Sequence, residues 1–163
     1  MKVCVQQADF DLNTEIAALR QSNPAIGAVV SFVGLVRDMN EGQDVSAMTL
    51  EHYPGMTEKA LENIILQAQT RWAVQDAVII HRVGALLPLD QIVLVAVATQ
   101  HRGEAFAACE FMMDYLKTQA PFWKKESTPQ GDHWVDARET DDRALAKWGL
   151  TSANATPSNG GAT

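Results

Sequence analysis

Apolar residues fall along this chain in two periods, one of two residues and one of three to four, and the periods alternate in blocks. Lys2 to Gln6 alternates and predicts a first strand. Asn13 is a helix-capping type, and Ile16 and Leu19 spaced behind it predict a short helix through Arg20, broken by Asn23-Pro24. Ile26 to Val36 is apolar and β-branched, which predicts a central strand. Gly27 and Gly34 interrupt it, and glycine inside a strand marks a bulge or a close backbone approach. After the polar loop Asp38 to Asp44, Val45 to His52 predicts a strand that turns back on the previous one as a hairpin. The turn Tyr53-Pro54-Gly55 leads into a helix from Thr57 to Trp72, with Ala60, Leu61, Ile64, Ile65, Ala68 and Trp72 on its buried face. Strands follow at Ala77 to Val83 and Gln91 to Ala98, with a turn region Gly84 to Asp90 between them. The His81-Arg82 pair inside the first of these reads as structural.

The longest helical pattern follows His101-Arg102. Ala105, Phe106, Cys109, Met112, Met113 and Leu116 recur at three- and four-residue steps and form an apolar stripe. Gly103 and Glu104 occupy the first turn, Lys117 the last, and Pro121 stops the helix. Phe122 to Glu126 reads as extended chain and Thr128 to Asp132 as a turn. His133 to Arg138 reads as a last strand, with Trp134, Asp136 and Arg138 on one face, and Arg143 to Trp148 as a final turn of helix. Residues 149–163 are small and polar, with no periodic apolar face, and read as a disordered tail behind a single domain of residues 1–148. The order β-α-β-β-α-β-β-α-β predicts an α+β fold, a mixed or mostly antiparallel sheet with helices packed on it.

Charge narrows the function. The 163 residues carry a formal net charge of -7, which argues against nucleic acid or an anionic membrane as the main partner. An anionic ligand therefore needs a local cluster of cations. No apolar run reaches transmembrane length and the N-terminus is no signal peptide, which points to the cytoplasm. Cys4 and Cys109 form no CxxC pair and read as buried small hydrophobes. His52, His81, His101 and His133 lack metal-ligand spacing, so no metal is expected. GxGxxG, GxxxxGK[ST] and GxSxG are all absent, so no nucleotide cofactor is indicated. Lys117 at a helix C-terminus has an ordinary dipole explanation. Arg102 at a helix N-terminus does not, because the dipole there is already positive, so it is expected to meet an anion such as a phosphate or carboxylate.

Several separate blocks then share one likeness. Leu50-Glu51-His52-Tyr53-Pro54-Gly55-Met56, Val83-Gly84, His101-Arg102, Met113-Asp114-Tyr115-Leu116-Lys117 and Ala120-Pro121-Phe122-Trp123-Lys124-Lys125-Glu126 closely resemble the large, catalytic subunits of molybdopterin synthases. The resemblance runs from about Ala25 to Trp148. It implies an α+β fold with a hammerhead-like subdomain and no cofactor. It implies conversion of cyclic pyranopterin monophosphate (precursor Z) to molybdopterin, with two sulfurs added. The sulfur comes from a thiocarboxylate on the C-terminal Gly-Gly of a small ubiquitin-like subunit, and two such subunits flank a homodimer of large ones in a heterotetramer. By the same resemblance the catalytic residues are Lys117 and Lys124. Arg37, His101, Arg102, Lys125, Glu126, Arg138, Leu35 and Val36 fall on substrate-binding positions, and Phe32 and Met113 line the pocket. At Leu35 some relatives carry a basic residue, which leaves only a backbone contact there.

These residue types suit that chemistry. Arg37, Arg102 and Arg138 fit bidentate phosphate binding. Lys117 is expected to act on the thiocarboxylate or the acyl intermediate, with Lys124 supporting it, while His101 shuttles protons or binds. Arg102 and Lys117 stand 15 positions apart on one helix, roughly 22 Å at the helical rise. One pterin does not span that, so a composite pocket is expected, with His101 and Arg102 of one protomer joining Lys117 and Lys124 of the other. Two other readings compete: a scaffold that only docks a ubiquitin-like tail, and a stand-alone acid/base enzyme with His101 as base.

Overall fold

The computed structural model describes residues 1–40, 42–135 and 139–150. In chain order the elements are β1 (Lys2–Gln6), α1 (Leu12–Arg20), β2 (Ala28–Leu35), β3 (Met39–Asn40), β4 (Gln43–Asp44), β5 (Ala47–His52) and α2 (Met56–Arg71). They continue with β6 (Val74–Arg82), β7 (Gly84–Leu86), β8 (Gln91–Thr99), α3 (Arg102–Gln119), β9 (Phe122–Thr128), β10 (Gly131–Val135) and α4 (Glu139–Ala146). They make two four-stranded sheets, ordered β1-β6-β8-β2 and β10-β9-β5-β7, with β3 and β4 as a separate small hairpin. β1 runs parallel to β6 and the other pairs are antiparallel. The fold is α+β, as the element order predicts.

β8 shows why the first sheet is the core. Its residues alternate between two apolar clusters. Val93, Val95 and Val97 face α2 and α3, while Leu94, Ala96 and Ala98 face α1. A strand covered on both faces needs no polar alternation, and Ile92 to Ala98 has none. α2 contributes Leu61, Ile64, Ile65 and Ala68 to the larger cluster, as its periodicity predicts. α3 contributes Ala108, Cys109, Phe111, Met112 and Leu116. Phe106 departs from the expected stripe and is 63% exposed, while Phe111 is fully buried in its stead. Trp72 and Trp148 meet Phe111 edge-on at 5.4 and 5.5 Å, which fixes the C-terminal end of the described chain. Leu150 also packs there; residues 151–163 of the expected tail lie outside the described residues.

Four local expectations need correction. Asp11, not Asn13, caps α1, its side chain accepting from the Thr14 N–H at 2.7 Å. β2 is an edge strand and not a central one. It does not form a hairpin with β5; it pairs with β8, and β5 sits between β7 and β9 in the other sheet. The Gly84 to Asp90 region holds a short strand, β7, paired with β5. The glycine readings hold. A Cβ on Gly27 would lie 2.4 Å from the Gln100 carbonyl oxygen, and one on Gly34 would lie 2.8 Å from a Val93 methyl, where the β2–β8 register slips.

Candidate functional site

A cavity of about 830 Å³ opens beside two of the places where the chain passes from the first sheet to the second. The first crossing follows β2. The Val36 N–H donates to the Asp90 carbonyl at 2.9 Å, and the Leu89 N–H donates to the Val36 carbonyl at 2.8 Å. This clamp holds the backbone as Arg37 leaves the sheet. The other of these two crossings follows α3. Lys117 lies in its last turn, Pro121 ends the helix, and β9 begins at once with Phe122. Arg37 and Lys117 thus line one cavity from the ends of two elements far apart in sequence.

β9 supplies Lys124 and Glu126, and its pleat separates these two from Lys125. Successive residues of a strand face opposite sides. Lys124 and Glu126 line the cavity, and Lys125 between them does not. Lys125 lies instead over the Trp134 ring, 5.8 Å from its centroid. Glu126 is 4% exposed. Both its oxygens accept from the Asn40 amide, at 3.0 and 2.9 Å, and the Lys124 Nζ stands 3.3 Å away. The carboxylate therefore ties the β3–β4 hairpin to β9 and holds Lys124 in place. The Phe32, Leu35 and Val36 side chains and backbone form an apolar wall.

The cavity thus gathers Arg37, Lys117, Lys124, Glu126, Phe32, Leu35 and Val36 of the residues anticipated from sequence. It does not include His101, Arg102, Lys125 or Met113. His101 and Arg102 are exposed at the opposite end of α3, as the helical rise requires. Arg138 lies outside the described residues. Two ionisable lining residues were not anticipated as site residues, His81 and Asp141. His81 stacks on Phe122 with ring centroids 3.8 Å apart. A histidine breaking the apolar run Val78 to Ile80 was the available signal; only the fold reveals that its ring borders a cavity. Three cations against two carboxylates, in a chain of net charge -7, make this the local positive cluster that an anionic ligand requires.

Cys109 is not among the lining residues. Burial pushes its thiol up to about 11, so it stays protonated and unreactive. No cysteine of this chain therefore supplies a sulfur nucleophile to the cavity. What remains is a pocket able to hold an anion by Arg and Lys and to stabilise negative charge as it develops.

Comparison with known proteins gives the family. The family model described as MoaE protein matches residues 5–119. The molybdopterin synthase catalytic subunit of Ralstonia nicotianae is 70% identical over 151 residues, which cover 93% of this chain and 86% of that protein. The molybdopterin biosynthesis MoaE protein from Burkholderia ambifaria shares the structure with a TM-score of 0.80 at 64% identity, over 91% of this chain and 98% of that one. Molybdopterin synthase from Staphylococcus aureus follows with a TM-score of 0.75 at 31% identity, over 80% of this chain and 94% of that one. With more than half its length matched by the family model and its cations gathered in one cavity, the chain belongs to the MoaE family.

Proposed function

We propose that the protein is the catalytic subunit of a molybdopterin synthase, a sulfurtransferase of molybdenum cofactor biosynthesis. It converts cyclic pyranopterin monophosphate to molybdopterin, taking sulfur from the thiocarboxylated C-terminal Gly-Gly of a small ubiquitin-like subunit. The observation that carries this is the convergence of Arg37, Lys117 and Lys124 on one half-apolar cavity whose lining includes no cysteine. The tail of the partner brings the sulfur nucleophile, and the cavity brings cations. Arg37 suits the phosphate, because a guanidinium matches phosphate oxygens in a fixed fork. Lys117 stabilises the negative charge that develops on the acyl group as sulfur leaves it and as water later hydrolyses the acyl link. Lys124, held by Glu126, supports it. The work takes place in the cytoplasm; among the described residues no helix is long and apolar enough to cross a membrane.

His101 and Arg102 complete the site from a second copy. They lie at the far end of α3 from Lys117, so in a homodimer they belong to the cavity of the neighbouring protomer. Mixing Arg102→Ala and Lys117→Ala proteins restores activity to hybrid dimers if this is so; hybrids that form and stay inactive refute it.

The deciding experiment is single-turnover conversion of precursor Z with a thiocarboxylated small subunit. Wild type is expected to give the dithiolene product. Lys117→Ala is expected to lose about 10²-fold or more in rate, the scale for removing a charge stabiliser, while still binding the small subunit. No product from a folded, partner-bound wild type overturns the function in favour of a docking scaffold. Undiminished product in the variant overturns the role of Lys117.

A further inference from the structure

His81 lines this cavity, and one of its two ring nitrogens has no hydrogen bond among the described residues. His81 is 6% exposed, and Phe122 stacks on its ring with planes 19° apart, so the ring cannot turn freely. Nδ1 lies 2.8 Å from the Arg82 carbonyl oxygen. A carbonyl only accepts, so Nδ1 carries the proton. The ring is neutral at ordinary pH. Burial is the main cause, pushing its pKa down to about 4; the Arg82 carbonyl opposes this, and the charges of Lys117 and His52 add to it. In a neutral ring protonated at Nδ1, Nε2 is a bare acceptor. Among the described residues no hydrogen bond reaches Nε2. Nor is that atom sealed away: Gln75 Oε1 alone is both buried and without a partner among the described side chains. A ring nitrogen that is neither satisfied nor sealed borders open space, and the cavity is the open space that His81 lines.

We propose that His81 is a substrate-contacting residue, whose Nε2 accepts a hydrogen bond from an N–H donor of the heterocycle bound in the cavity. The residues around it divide the recognition. Arg37, Lys117 and Lys124 meet charge, and His81 meets the neutral, donor-bearing edge of a flat polar ring. A cation cannot do this, since ammonium and guanidinium groups only donate. The preference is for a reduced pterin, which bears ring N–H groups, over an analogue lacking a donor at that edge. This inference rests on the function proposed above.

The test exploits atom positions. Glutamine places an amide oxygen where Nε2 stands. Asparagine keeps a donor near Nδ1, able to reach the Arg82 carbonyl, but has nothing at Nε2. Equilibrium binding of precursor Z is measured for wild type, His81→Gln and His81→Asn, with thermal unfolding recorded for each. His81→Asn is expected to weaken binding about tenfold or more, the direction in which a site loses discrimination when a buried hydrogen bond goes unmade. His81→Gln is expected to stay within about threefold of wild type. Equal binding by His81→Asn and wild type overturns the inference and leaves the function standing. Equal weakening in both variants also overturns it, because a shape effect would then explain the loss. A wild type that neither binds nor converts precursor Z removes the underlying function and this inference with it.

Discussion

Removing the Glu126 carboxylate separates the frame of the cavity from its chemistry. Glu126 is a buried acid that accepts twice from Asn40 and pairs with Lys124 at 3.3 Å. His133, at 3.9 Å across the β9–β10 pair, adds little. A hydrogen bond to a charged group contributes about 1.5–3 kcal/mol. The Lys124 pair is partly solvated and adds under about 1 kcal/mol. Glu126→Ala is therefore expected to cost about 2–4 kcal/mol, and Glu126→Gln about 1 kcal/mol, since the amide oxygen still accepts from Asn40. Urea unfolding of the two variants measures this directly. An Asn40→Ala, Glu126→Ala double-mutant cycle isolates the shared part, expected at about 1–2 kcal/mol. Sulfur-transfer activity is expected to fall in Glu126→Ala beyond what stability explains, because Lys124 loses its anchor. A Glu126→Ala protein within about 0.5 kcal/mol of wild type, or a coupling energy near zero, refutes the reasoning.

Other outcomes follow from single contacts. The folded His81 holds its proton only below about pH 4, against 6.5 for an ordinary histidine. Between those values the unfolded chain binds more protons, so stability is full above about pH 6.5 and falls with decreasing pH toward 4, by about 3 kcal/mol; urea unfolding against pH shows this slope, and His81→Gln flattens it. Phe111→Ala is expected to cost about 3–5 kcal/mol, because the ring is fully buried between Trp72, Tyr115 and Trp148; a thermal scan checks it. Cys109→Ala is expected to keep sulfur-transfer activity within about twofold, and iodoacetamide at pH 8 is expected to label Cys109 only on unfolding, as its raised thiol pKa and burial require.

The helices were legible because each buries one stripe, and a stripe is a local property of sequence. α2 shows this: Leu61, Ile64, Ile65 and Ala68 are buried as their spacing demands. Strand pairing is not local. Ile26 to Val36 and Val45 to His52 stand close in sequence with a polar loop between, which is how a hairpin looks. β2 instead takes the free edge of β8, because β8 has an apolar residue at every position from Ile92 to Ala98 and requires neighbours on both sides. The same event explains why β2 looked central. Its Phe32 and Leu35 are 41% and 48% exposed, and both line the cavity. The apolar run signalled burial, but part of it forms the wall of a site. Lys125 shows the reverse. It stands in a cationic run that sequence treats as a unit, and the strand's pleat turns it away from the cavity.

The cations that converge are those placed where one periodicity stops and another starts. Arg37 stands at the end of a strand pattern. Lys117 stands at the end of a helix pattern, and Lys124 just past the proline that closes it. Such breaks are where the chain changes sheets, and two sheets diverging from shared crossings leave space between them. Side chains at the crossings have backbone fixed by regular structure close by: β2 with the Val36–Asp90 clamp for Arg37, α3 for Lys117 and β9 for Lys124. That gives rigid placement without burial in the core, which is the condition for holding charge next to a reactive group. His81 escaped the reading because the expected strand ran on through Val83, and a lone histidine within a strand reads as structural. Its strand passes beneath the crossing, and only the stacking of Phe122, the first residue of β9, reveals that the floor of the cavity is part of the site.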